Sequence, residues 1–248
     1  MSDTKLYYKE IHNALMELAI PEKAKFFPRF FKTGKGEYGE GDLFIGVTVP
    51  NQRKIAQQFQ QAADDRLIIK LLDSSFHEDR LTGLFILIYK FNQAKKNKEE
   101  KKWVDLYLKK IERINNWDLV DTSAHSILGQ WLENKGRSIL YKFARSTNLW
   151  KNRIAIISTL HFIRKHDFED LLKLSVILIK HEHDLIHKAV GWMLREAWKR
   201  NHRVIELFLN QHVHEMPRTM LRYAIEKMDE KKRKQYMKLK SIPKGSAL

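Results

Sequence analysis

The chain has 248 residues, no cysteine, only ten glycines and five prolines, and a formal charge of +16. That length is enough for a sizeable core, while the lack of cysteine excludes disulfides, thiolate nucleophiles, iron–sulfur clusters and thiolate zinc sites. No stretch reaches the ~18 apolar residues of a membrane span, and the opening MSDTKLYYKEIHNALMELAI lacks the basic start and apolar run of a signal peptide, so a cytoplasmic protein with no secretion and no membrane contact is expected.

The segment up to Lys32 reads as two helices, the second opened by Pro21 with Glu22 in its first turn. Next comes FKTGKGEYGEGDLFIGVTVP, where five glycines and the alternating apolar residues of Leu43 to Val49 predict a hairpin or a Gly-rich loop at about 33–48. It is no phosphate-binding loop, since no Gly-Lys-Ser/Thr follows. Pro50 then begins another helix, and from Asp64 onward apolar residues such as Leu67, Leu71, Leu81, Leu84, Phe85 and Ile88 recur at helical spacing. The class is all-α. Residues 1–240 are expected to form one continuous repeat domain, with 241–248 a mobile tail.

Four phrases recur in the later part of the chain: WDLVDTSAHSIL from Trp117, WKNRIAIISTLHF from Trp150, DLIHKAVGWMLRE from Asp184 and PRTMLRYAIEKM from Pro217. In register they align Ala124, Ala155, Ala189 and Ala224, at steps of 31, 34 and 35 residues. Repeats of that length are usually helix pairs stacked into a solenoid. Charge follows the repeats: residues 1–124 hold 21 Lys/Arg against 18 Asp/Glu, residues 125–248 hold 25 against 12. Such a basic half attracts polyanions, with DNA or RNA ahead of an acidic protein or an anionic membrane surface. Lys188, Arg195 and Arg218 are candidates for phosphate contact there, as is Lys35 near the tip of the Gly-rich segment.

The residues that differ between phrases are the candidates for chemistry. Trp117 and Asp121, four apart, share one helical face, and an aromatic ring beside a carboxylate suits a cationic or electron-poor substrate. The same residues are open to a plainer reading, with Trp117 as core packing and Asp118 or Asp121 as a helix cap. Arg153 precedes its alanine by two positions and is able to pair with Asp121 or grip a phosphate; at 100° per residue it points away from the Trp117 stripe and must reach inward. Trp192 follows its alanine by three. His183 and His187 are four apart, but HDLIH is not the HExxH order and supplies no third ligand, so no metal is expected. No nucleophile-elbow pattern appears either.

In PEKAKFFPRFFK, FIGVTVPNQRKIA, NNWDLVD, LWKNRIAII and KAVGWMLREAWKR the chain resembles the AlkD-like DNA alkylation repair glycosylases, built from HEAT-like repeats. The resemblance covers most of the chain and implies an α-α superhelix. It places the family's catalytic Asp on Asp121, its active-site tryptophans on Trp117 and Trp192, and its active-site Arg on Arg153. It further implies a cofactor-free monomer, acting near the nucleoid, that hydrolyses the N-glycosidic bond of cationic alkylated purines in double-stranded DNA. TGKGEYGEGDL is longer than the compact turn of the archetypal enzyme; a protrusion there is able to insert in a groove, wedge a junction or obstruct a lesion pocket, and the resemblance to members of the wider family with such a hairpin adds branched DNA as an alternative partner. Two alternatives stand beside the glycosylase: a non-catalytic binder of branched or damaged DNA, and a basic solenoid that binds protein.

Overall fold

Proline, glycine and capping residues set the helix boundaries. The computed structural model of the protein describes residues 2–241; the expected tail at 241–248 lies, beyond its first residue, outside them. All described regular structure is helical, and the chain gathers into two compact units, one ending at Ser123 and one starting at Ala124.

The first unit holds α1 (Ser2–Glu17), α2 (Pro21–Phe30), α3 (Val49–Phe59), α4 (Asp65–Leu72), α5 (His77–Lys95), α6 (Lys101–Lys109), a 3-10 turn at Ile111–Arg113 and α7 (Trp117–Ser123). Pro21 and Pro50 fall in the first turns of α2 and α3, where the missing N–H costs no bond. Asp64 caps α4 by accepting from the Leu67 N–H at 2.8 Å. Leu67, Leu71, Leu84, Leu87 and Phe91 are fully buried where α4 and α5 pack together. The Gly-rich segment is a run of turns with one isolated parallel bridge, Leu43 to Phe76. Gly46 is required there: its φ is +94°, and a Cβ would lie 2.5 Å from the Ile20 carbonyl oxygen.

The second unit opens with a π-helical turn, His125–Gly129, and continues through α8 (Ser138–Ala144), α9 (Leu149–Arg164), α10 (Glu169–Leu178), α11 (Asp184–Trp198), α12 (His202–His212), α13 (Arg218–Ala224) and α14 (Glu230–Ser241). α8 packs on α9, α10 on both α9 and α11, and α12 and α13 on α11, which is the helical-repeat architecture expected from the alanine register. Ala155, Ala189 and Ala224 lie on α9, α11 and α13 and are wholly buried. Small side chains at these points let α11 pack closely on both α9 and α13.

Gly191 marks a close approach of α11 to α13: a Cβ there would sit 2.4 Å from the Met220 carbonyl oxygen and 2.5 Å from the Tyr223 Cβ. Since the obstacles belong to α13 itself, Gly191→Ala must push two helices apart and is expected to destabilise by ~1–3 kcal/mol. Thermal melts should show a drop of several degrees. Gly136→Ala, whose new methyl meets nothing within 4 Å, should melt as the parent does.

Candidate active site

In the first unit the start of α7 is held from three sides. Asn116, wholly buried, accepts from the Trp117 N–H at 2.8 Å. The Trp117 ring stacks on Phe31 (centroids 5.2 Å apart, 15° between planes) and meets Phe30 edge-on at 5.7 Å. Asp118 accepts from Nε2 of His77 at 2.7 Å, and the other imidazole nitrogen, Nδ1, lies 3.1 Å from Asp42. Arg80 donates from Nη2 to the second oxygen of Asp42 at 2.7 Å, and the rings of Phe31 and Phe44 lie within 5 Å of the imidazole.

This cluster is a buried chain of alternating charge. Burial opposes a charge on His77, but Asp118 and then Asp42 outweigh it and push its pKa up to about 9. The ring is an imidazolium at neutral pH and donates from both nitrogens. Burial likewise works against ionised Asp42, yet His77 and Arg80 hold its carboxyl below the ordinary range. The neighbouring Glu78 receives the Ile45, Gly46 and Val47 N–H groups at 3.0, 2.8 and 3.3 Å. Asp79 takes Ser74 Oγ at 2.7 Å, Tyr8 OH at 3.1 Å and Nδ1 of His12 at 3.0 Å. The first turn of α5 therefore welds the Gly-rich segment to the start of α7.

Those four residues, His77 to Arg80, were missed by pattern reading, although a signal exists. Four consecutive ionisable residues opening an apolar helix occupy every side of it, so some must be buried and therefore partnered.

One turn beyond Trp117, Asp121 is half-buried and engaged rather than free. Leu119, Val120 and Ser123 turn into the core, so Trp117 and Asp121 share the half-open side of α7. Lys35 is exposed at the outer turn of the Gly-rich segment, beside Gly36.

In the second unit Asn148 caps α9, and wholly buried Asn152 donates to the Phe143, Ala144 and Ser146 carbonyls at 2.9, 3.2 and 2.9 Å. Arg153 is 4% exposed and reaches inward, its Nη1 donating to the Leu185 carbonyl in the first turn of α11. Trp192 lies half-buried on the same helix. At the first residue of the π turn, His125 is kept neutral, burial and then the charges of Arg164 and His161 pushing its pKa down to about 4.

The histidines of HEHDLIH close the loop into α11. His183 Nδ1 accepts from the Leu185 N–H at 3.1 Å, His181 Nδ1 from the His183 N–H at 3.0 Å, and His187 Nε2 donates to the His181 carbonyl. Of the expected phosphate contacts, Lys188 pairs with Asp184 at 2.7 Å and Arg195 with Glu226, whereas Arg218 is exposed beside α14.

A family model described as DNA alkylation repair enzyme matches residues 11–228. The chain belongs to the DNA alkylation repair family. A solved structure described as a predicted DNA alkylation repair enzyme from Enterococcus faecalis superposes with a TM-score of 0.69 at 18% identity, over 86% of this chain and 97% of that one. No curated protein matches in sequence. Membership in the DNA alkylation repair family gives the chain a role as a DNA repair enzyme with DNA as its partner, and among the described residues no helix is long and apolar enough to cross a membrane.

Proposed function

We propose that the protein is a DNA glycosylase that hydrolyses the N-glycosidic bond of cationic alkylated purines in duplex DNA. The observation that carries this reading is the start of α7, where Trp117 is fixed by a stacked ring, a buried cap and the His77–Asp118 pair, with the Asp121 carboxylate one turn away on the half-open side. Charge stabilisation works best from groups already locked in place.

A purine alkylated on a ring nitrogen carries positive charge before reaction. The C1′–N bond breaks with its electron pair passing to the base, which leaves neutral and needs no acid. The cation moves to the sugar as an oxocarbenium ion, opposed by Asp121. A water held by Asp121 adds to C1′ and gives its proton to that carboxylate. Trp117 and Trp192 pack against the sugar of the damaged nucleotide, and Arg153 holds the neighbouring backbone. Lys35 and Arg218 contact phosphates, while Lys188 and Arg195, paired with Asp184 and Glu226, add to the basic field around them, and the enzyme works as a cofactor-free monomer on DNA in the cytoplasm. Purified protein incubated with methylated duplex should release free alkylated purine, detected by chromatography; no release from any alkylated duplex would end the glycosylase reading.

The exposed Lys35 turn favours a second reading, recognition of branched DNA. The Gly39 N–H donates to the Lys32 carbonyl at 2.9 Å and closes the protruding loop at its base. Shortening residues 34–37 is therefore expected to leave the melting temperature unchanged. If the loop wedges junctions, the affinity ratio of four-way junction to linear duplex should fall several-fold; an unchanged ratio removes this role.

A further inference from the structure

Charge alone does not say which cations are available to a ligand. Several basic side chains of the second unit are already paired with carboxylates: Lys188 with Asp184, Arg195 with Glu226, Arg137 with Asp167 and Asp170. The cleft between α13 and α14, of about 670 Å³, is different, and its size lies within the ~300–1,000 Å³ range of ligand sites. Arg218 and Arg222 line it from α13, Arg233 and Lys234 from α14. On each helix these positions share one face, at spacings of four and of three to four from their neighbours in the lining.

Two carboxylates, Glu226 and Glu230, also line the cleft. Both are neutralised locally, Glu226 by Arg195 and by Lys227 at 3.4 Å, Glu230 by Lys234 at 2.7 Å. Arg218, Arg222 and Arg233 are exposed, and no carboxylate among the described residues lies within ion-pair distance of them. Three guanidinium forks thus converge on one open cleft with their charge unspent.

We infer that the α13–α14 cleft is a backbone clamp for duplex DNA, in which Arg218, Arg222 and Arg233 take phosphate oxygens. Guanidinium groups suit this because each fork donates two parallel hydrogen bonds to a phosphate. Arg218 and Arg222 stand one helical turn apart, ~5.4 Å along the axis, a spacing for neighbouring phosphates of one strand rather than for a single small anion. The clamp fixes the DNA without reading its sequence. It rests on the DNA-repair reading above but not on base release.

The test uses the full chain and a short unmodified duplex, with affinity measured by fluorescence anisotropy from about 50 to 200 mM salt. Arg222→Ala/Arg233→Ala should flatten the slope of log affinity against log salt by ~1.8, about 0.9 for each phosphate that is no longer neutralised, and weaken low-salt binding by at least tenfold. Arg222→Lys/Arg233→Lys should keep most of the slope while losing part of the affinity. Removing two exposed lysines of the first unit, Lys96→Ala/Lys98→Ala, should change the slope less. A double-alanine variant that binds with the parental slope, or no more weakly than the lysine control, overturns the clamp. So does displacement of duplex from the parent by inorganic pyrophosphate at constant ionic strength, which would assign the cleft to a small phosphate. Because plain duplex is the probe, these results are independent of whether the protein releases a base: failed clamping with intact release defeats only this inference, and intact clamping without release defeats only the glycosylase.

Discussion

Asp121→Asn is expected to lower release of alkylated purine in single-turnover experiments by ~10² or more, the range for removing one preorganised electrostatic group from a reacting centre. The substitution is nearly isosteric, so Trp117 keeps its stack on Phe31 and the start of α7 keeps its cap and its tie to His77. What disappears is the negative charge that opposes the sugar cation and receives the water's proton. Duplex affinity should hold or rise slightly, because a negative charge has been taken from a surface that meets phosphates. The melting temperature should move little. If Asp121 is instead a structural partner within the fold, the melting temperature falls while release per folded molecule persists, and that outcome would sink its catalytic role. Running both measurements on the same sample separates the two.

The repeat architecture was legible because it is written in local pattern. Ala155, Ala189 and Ala224 recur where α9, α11 and α13 must approach closely, and a small side chain at such a point is a requirement of packing that sequence spacing exposes. The prolines that open α2 and α3 are local signals of the same kind. Partnership between charged groups is different. Asp184 precedes Lys188 by four residues on one helix, and that pair was readable from spacing. Arg195 and Glu226 are 31 residues apart, and no periodicity announces their meeting. The same holds for His77, whose partners Asp42 and Asp118 lie 35 and 41 residues away. Sequence pattern therefore finds where Trp117, Asp121, Arg153 and Trp192 sit on their helices, but only tertiary structure shows what fixes Trp117 in place and which arginines have charge to spare.

The buried His77 makes a prediction about pH whose direction follows from its partners. Its pKa rises from the ordinary 6.5 to about 9 on folding, because Asp118 and Asp42 favour the imidazolium more than burial disfavours it. A group with a raised folded pKa contributes its full stability below the unfolded value and loses it as pH climbs through the folded one. The window is therefore pH 6.5 to 9, and the contribution at stake is on the order of 3 kcal/mol. His77→Gln keeps a donor and similar bulk but cannot become a cation, so two buried carboxylates lose their shared counter-charge. Removing one partner of a buried ion cluster typically costs ~3–5 kcal/mol, and the variant should melt well below the parent near neutrality. The stability gap between parent and variant should then shrink steadily from pH 6.5 to about pH 10. Other groups titrate at the alkaline end, but they do so in both proteins and cancel in the difference. A gap that stays constant across that range would mean the imidazole is neutral in the folded protein, and the alternating chain Asp42–His77–Asp118 would have to be redrawn as ordinary hydrogen bonds. A gap that closes as expected makes the placement of Trp117 depend on a proton, so base release by the parent should decline over the same alkaline range.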